Sequence, residues 1–209
     1  MSGFERFNKI LNLFSEKRSS LTVAEISEEL KIPSSTIYRT VREMVLADFL
    51  ESAAGSYFRL GQAFIKFNRI INLSDPLIQA GEPFLKKLAN ENPIPSTNIL
   101  ARLFGDKVMC VADFKYPSFK NNTSYQKGRL MPLLYGATSR AIIMQIKGKR
   151  LRDILNLEGL NDHKQQKIFI SGLDKDKKKG FCKTEGQVDN GLIGFAISIN
   201  NKKLGIEAS

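Results

Sequence analysis

The sequence predicts an α+β chain: a helical head ending in a polar β-hairpin, a connecting helix, and a larger mixed domain with an antiparallel sheet. Three observations carry this reading. Apolar residues recur at helical spacing through most of residues 3–75. That spacing gives way once, near residues 49–60, to two short strand-forming runs around a Gly-containing loop. Beyond residue 95, strand formers alternate with turn signals and charged helical stretches.

Phe4, Phe7, Ile10, Leu11 and Phe14 predict a first helix over 3–16 that packs its aromatics into a core with the next two. Thr22 and Glu25 have capping-box spacing, in which hydroxyl and carboxylate each satisfy one orphan N–H. Val23, Ile26 and Leu30 continue that helix until Lys31-Ile32-Pro33 breaks it, since proline disfavours the α conformation in the residue before it. A further helix starts near Ser34 or Ser35. Its core face is Ile37, Val41, Met44 and Val45, which leaves Ser35, Thr36, Tyr38, Arg39, Thr40, Arg42 and Glu43 on the other faces.

Hydroxyls at a helix start and two arginines suit a reader of the DNA major groove. Hydroxyls and free N–H groups hold phosphates, and a guanidinium can bond guanine O6 and N7 together. A plain amphipathic helix with a solvated face gives the same periodicity. The following elements separate the two: Phe49-Leu50-Glu51, the loop 52–56 and Tyr57–Leu60 form a wing able to lie on the neighbouring backbone. The expected DNA contacts are Ser34, Ser35, Thr36, Tyr38, Arg39, Arg42 and Arg59.

Phe64, Phe67, Ile70 and Ile71 mark a connecting helix, ended by Ser74-Asp75-Pro76. Its apolar surface either packs on its own domain or meets a second copy of the chain. A helix to about residue 91 follows, with Pro83 as a kink or as the start of a shorter helix. Residues 96–104 and 107–114 predict a hairpin turning at Gly105-Asp106. Residues 115–131 read as irregular, with Asn121-Asn122 and Gly128 as turn signals. Residues 132–146 read as a loop entering a helix, and 147–155 and 162–179 as charged helical or loop segments. Two last strands are expected over Leu192–Asn200 and Lys203–Ala208.

The net charge of +11 favours polyanions in general but does not mark the contacting face. Residues 1–75 hold ten Lys/Arg against nine Asp/Glu, so the remaining 134 residues carry almost all the excess. No run approaches the ~18–20 apolar residues of a membrane span. With no signal-peptide pattern at its start and only Cys110 and Cys182, the protein is expected in the cytoplasm. Cys110 lies in an apolar strand and should be inert. Cys182, near lysines, is expected to be more exposed and a conceivable redox sensor. The single histidine, His163, sits in a polar segment and reads as a surface residue. No metal spacing, phosphate loop or nucleophile-base pattern appears, so neither an enzyme nor a cofactor or metal is expected.

Several blocks resemble the IclR family of prokaryotic transcriptional regulators. They are Glu5-Arg6 with Ile10–Phe14, the run Thr22–Ser27, Ile32–Arg39 and Tyr57–Gly61. Two more follow the family's pattern further on, Gly128–Ala141 and Gly180–Gly191, so the resemblance spans nearly the whole chain. It implies three parts: a winged helix-turn-helix over 1–61, a linker helix over 62–75 serving paired chains, and a GAF/PAS-like effector domain over 76–209. It also implies double-stranded operator DNA as partner, a small-molecule effector, and a homodimer or homotetramer. By motif, the turn Gly136-Ala137-Thr138-Ser139 and the acidic Asp189 fall on effector-binding positions. Small residues at a helix start leave room for a ligand, and equally permit close packing on a sheet. Asp189-Asn190-Gly191 is equally a good turn. Leu134 replaces the family's usual histidine, and Ser139-Arg140 its usual Gly-Lys. Against the family's usual extent, the effector domain is expected to be shortened at its end and between residues 155 and 180. The leading expectation is an effector-modulated, sequence-specific regulator. The alternative is a ligand-independent architectural or non-specific DNA-binding protein with a degenerate effector domain.

Overall fold

The computed structural model describes residues 2–209 except 117, 121 and 122; the expected turn at Asn121-Asn122 lies outside the described residues. The chain divides into two compact units, Met1–Ser74 and Asp75–Ser209.

In the first unit, α1 (Gly3–Leu11), α2 (Val23–Leu30) and α3 (Ser34–Leu46) enclose Ile10, Leu21, Ile26, Ile37, Val41, Met44 and Leu50. The α2 capping box is present in full. Glu25 N–H donates to Thr22 Oγ1 at 3.2 Å, and Thr22 N–H donates to Glu25 Oε2 at 2.7 Å. Those bonds from Thr22 hold the Glu25 carboxyl below its ordinary pKa. α1 stops five residues short of the expected 16, because i→i+3 turns at Leu13 and Phe14 wind its end into a loop. Phe14 still packs on the core, but Phe4 does not: it is exposed and only stacks on Phe7. A strand absent from the sequence expectation, β1 (Ser20–Thr22), pairs with β3 (Tyr57–Leu60) in register Leu21↔Phe58. β3 also pairs with β2 (Leu50–Ser52), giving the sheet order β1-β3-β2. α4 (Ala63–Ser74) sets Phe64 and Phe67 against the Phe49 ring, while Ile65, Ile70, Ile71 and Leu73 stay exposed.

The second unit begins with α5 (Pro76–Glu91), one continuous helix through Pro83. Asp75 caps it, accepting from the Leu77 and Ile78 N–H groups at 2.9 and 3.2 Å, and ion-pairs with Arg102 at 2.7 Å. Gly81 lets α5 approach the sheet, since a Cβ there would lie 2.5 Å from Leu100 Cδ2. The expected hairpin forms as β4 (Thr97–Phe104) and β5 (Lys107–Lys115), with one register shift at Leu100/Ala101. β6 (Leu130–Pro132) adds to β5.

Three helices follow: α6 (Ala137–Ile143), α7 (Gly148–Leu157) and α8 (His163–Lys179). β7 (Cys182–Glu185) lies within a segment with no expected strand, and pairs with β8 (Ile193–Ala196). The strand expected over Leu192–Asn200 is therefore two strands in different sheets. It breaks at Ile197-Ser198, and β9 (Ile199–Asn201) pairs instead with β10 (Ile206–Ala208). The large antiparallel sheet runs β6-β5-β4-β10-β9. Ser209 closes it by exchanging both backbone hydrogen bonds with Ala101. No helix among the described residues is long and apolar enough to cross a membrane.

Candidate nucleic-acid interface and effector turn

α3 is positioned from both sides. Lys31 takes the left-handed conformation and ends α2. Ser27 then donates to the Ile32 carbonyl at 2.6 Å, and Ser34 donates to Ser27 Oγ at 3.0 Å. The Ser34 hydroxyl is therefore part of the turn. Pro33 precedes α3 and supplies no side-chain cap, so the N–H groups of the first turn have no side-chain acceptor. Ser35, Tyr38, Arg39 and Arg42 are exposed, and Thr36 is half-buried. No ion pair involves Arg39 or Arg42 among the described residues.

Thr40 departs from its expected outward position. It is 4 % exposed, accepts from Arg6 Nε at 2.7 Å and donates to the Thr36 carbonyl at 3.1 Å. The hydroxyl that looks like a surface group in the periodicity is the α1–α3 link. In the wing, Arg59 extends outward but is ion-paired with Glu51 on the adjacent strand. Tyr57, also on the wing, is exposed.

In the second unit, Gly136 opens α6 at φ 82°. A Cβ there would sit 2.8 Å from Val188 Cγ2 and 3.0 Å from the Tyr125 hydroxyl, so both backbone angle and space demand glycine. The turn is closed by the chain itself. Gly136 N–H donates to Gln187 Oε1 at 3.2 Å. Ala137 and Ser139 are buried, and Thr138 is half-buried with its carbonyl accepting from Ser209 Oγ. Ser139 Oγ donates to the Pro132 carbonyl and lies 2.8 Å from the Tyr125 hydroxyl.

Asp189 sits beside this loop and is fully engaged. Its carboxylate accepts from Ser124 N–H at 2.8 Å, Ser124 Oγ at 2.5 Å and Thr123 Oγ1 at 3.1 Å. Burial pushes its pKa up, but the Ser124 and Thr123 hydrogen bonds outweigh burial and leave it lowered. Tyr125 is the residue sequence reasoning missed. It is an aromatic in a stretch read as polar and irregular, and nothing in its spacing ties it to Ser139.

Neither cysteine fits a sensor. Cys182, expected nearer the surface, is buried with its Sγ 3.8 Å from Met144 Sδ, because β7 inserts it into the core. Burial pushes its pKa up to about 11, and that of Cys110 up to about 12. His163 is exposed at the start of α8.

An exposed basic helix, a preceding helix that fixes its entry, and a β-wing beside it define a winged helix-turn-helix DNA-binding protein with a second α/β unit. Residues 5–53 match the model of the IclR helix-turn-helix domain. The Pca regulon regulatory protein of Pseudomonas putida is 20 % identical over 205 residues, covering 95 % of this chain and 69 % of that protein. Two solved structures share the fold over 99 % of the chain. An IclR homolog from Microbacterium hydrocarbonoxydans, complexed with 4-hydroxybenzoate, aligns at TM-score 0.77 and 21 % identity over 87 % of its length. An IclR transcriptional regulator from Alicyclobacillus acidocaldarius aligns at 0.80 and 20 % over 84 %. Residues 5–53 thus carry an IclR-type helix-turn-helix, and the chain as a whole shares the fold of these solved regulators.

Proposed function

We propose that the protein is a cytoplasmic, dimeric regulator that reads an operator with α3 and the wing and changes occupancy when a small acid binds its second unit. The observation that carries the DNA reading is the outer face of α3: Tyr38, Arg39 and Arg42 exposed beside an uncapped first turn. Arg39 and Arg42 take base edges or phosphates, and Ser35 with the first-turn N–H groups anchors the backbone. Arg59 and Tyr57 lie on the flanking phosphates. The exposed Ile70 and Ile71 of α4, on the face that also carries Phe67, meet the same face of a second copy, which supplies the second half-site.

The effector acts at the turn Gly136–Ser139 and Asp189. The 4-hydroxybenzoate bound by the Microbacterium homolog points to small aromatic acids as the class to try. Tyr125 presents a para-substituted phenol to that turn, and an aromatic acid enters by displacing it. Switching then follows from different affinity for the Tyr125-in and Tyr125-out states.

The test is binding to the DNA upstream of the protein's own coding region against a scrambled duplex, at two salt concentrations. A preference of ~10³-fold or more at physiological salt is expected. Equal affinities that collapse together as salt rises would reduce α3 to a phosphate anchor.

A further inference from the structure

The excess positive charge of the second unit has no role in the DNA reading. Part of it rims a cleft of ≈ 360 Å³ between the end of α6, the start of α7 and one face of α8. The floor is apolar: Met144, Ile146, Leu151 and Leu173 are buried there and Ile170 is half-buried. Around the mouth stand Lys147, Arg152, Lys167 and Lys177, all exposed, with Asp174 and His163 beside them. None of the four cations makes an ion pair among the described residues.

α7 also opens on this cleft without a side-chain cap, since its N-cap residue is Lys147. Its first N–H groups and the positive end of its dipole add to the same field. Four cations without ion pairs, against the single carboxylate of Asp174, ring this apolar hole, an arrangement that favours an anionic guest over a neutral one.

We infer that this cleft is a binding site for a small amphipathic carboxylate, its hydrocarbon body on the Met144–Leu173 floor and its head group between Lys147 and Arg152. The volume lies near the lower end of the ~300–1,000 Å³ of ligand sites, so the guest is a medium-chain or single-ring acid. The site is separate from the Gly136–Ser139 turn, and its existence does not depend on that turn binding an effector.

Octanoate is the probe, with 1-octanol as its neutral counterpart, titrated calorimetrically into the full chain. Hydrogen exchange then maps the bound state. Octanoate should bind with one-site saturation, about tenfold or more tighter than octanol. Lys147→Gln/Arg152→Gln should weaken it by about tenfold or more while leaving the thermal midpoint and DNA binding unchanged. Exchange protection should appear in α7 and α8. The inference is overturned if octanol binds as well as octanoate, if the double variant binds normally, or if no octanoate binds. Protection confined to residues 123–139 also overturns it, and assigns the acid to the effector turn instead.

Discussion

Tyr125 and Ser139 meet through their hydroxyls at 2.8 Å beneath the turn that opens α6. Ser139 spends its proton on the Pro132 carbonyl, so Tyr125 donates to Ser139 Oγ, with the Tyr135 carbonyl 3.2 Å away as a second acceptor. Burial raises the Tyr125 pKa and keeps it a donor. The phenol thereby ties the turn that opens α6 to the segment carrying Tyr125.

Tyr125→Phe keeps the ring and loses one hydrogen bond, which should cost ~1 kcal/mol in chemical denaturation. Tyr125→Ala leaves a ring-sized void and should cost about 3–5 kcal/mol. That void should accept added p-cresol, which replaces the lost side chain. A thermal upshift with p-cresol in the Ala variant, absent in the unaltered protein, checks it.

Arg39→Ala should weaken operator binding by ~1–3 kcal/mol and relax preference at one base position if the guanidinium pairs with guanine. Contact with phosphate alone would instead lower affinity alike for every duplex and flatten the salt slope by about one unit. Fluorescence anisotropy on single-base operator variants at two salts separates the two outcomes.

Glu51 neutralises Arg59 across the wing. Glu51→Gln should free the guanidinium and tighten DNA binding at low salt by several-fold, about 0.5–1 kcal/mol for an exposed pair. Stability should change little, because the pair is exposed. Unchanged affinity would remove Arg59 from the interface.

What was legible in the sequence was local. The Thr22–Glu25 box, the break at Pro33 and the hairpin turn at Gly105-Asp106 each lie within a few residues, and each formed as expected. The core face of α3 followed from its period, except at Thr40, whose burial depends on Arg6 in another helix. The Gly136–Ser139 turn was legible as a motif but not as a closed one. Its covering contacts join Tyr125 to Ser139 and Ser124 to Asp189, across 14 and 65 positions. Leu192–Asn200 reads as one apolar run, because nothing in its composition shows that its two halves find partners in different sheets. Cys182 looked exposed beside its lysines, since the alternation of β7 appears only once β8 fixes its faces.

Both thiols should be silent in the native protein. Burial holds Cys110 and Cys182 near 12 and 11, so almost no thiolate exists at neutral pH. Ellman's reagent should find no reactive thiol in the folded chain and two after denaturation. A fast-reacting native thiol would reopen redox sensing.

Asp189 gives the second unit a pH dependence of definite sign. Its carboxyl is held below the ordinary 3.8, because hydrogen bonds from Ser124 and Thr123 outweigh the opposing effect of burial. Such a group contributes stability that is present in full above its unfolded pKa and is lost as pH falls through its lower folded value. Acidification below pH 3.8 should therefore loosen the loop carrying Thr123–Tyr125 and release the Tyr125 ring from the α6 turn. Asp189→Asn removes the titrating group, so it should be less stable than the parent at neutral pH and lose less on acidification. Melting curves from neutral pH to below 3.8, followed by the near-ultraviolet tyrosine signal, check both halves. Parallel curves for parent and variant would mean that Asp189 does not hold the loop.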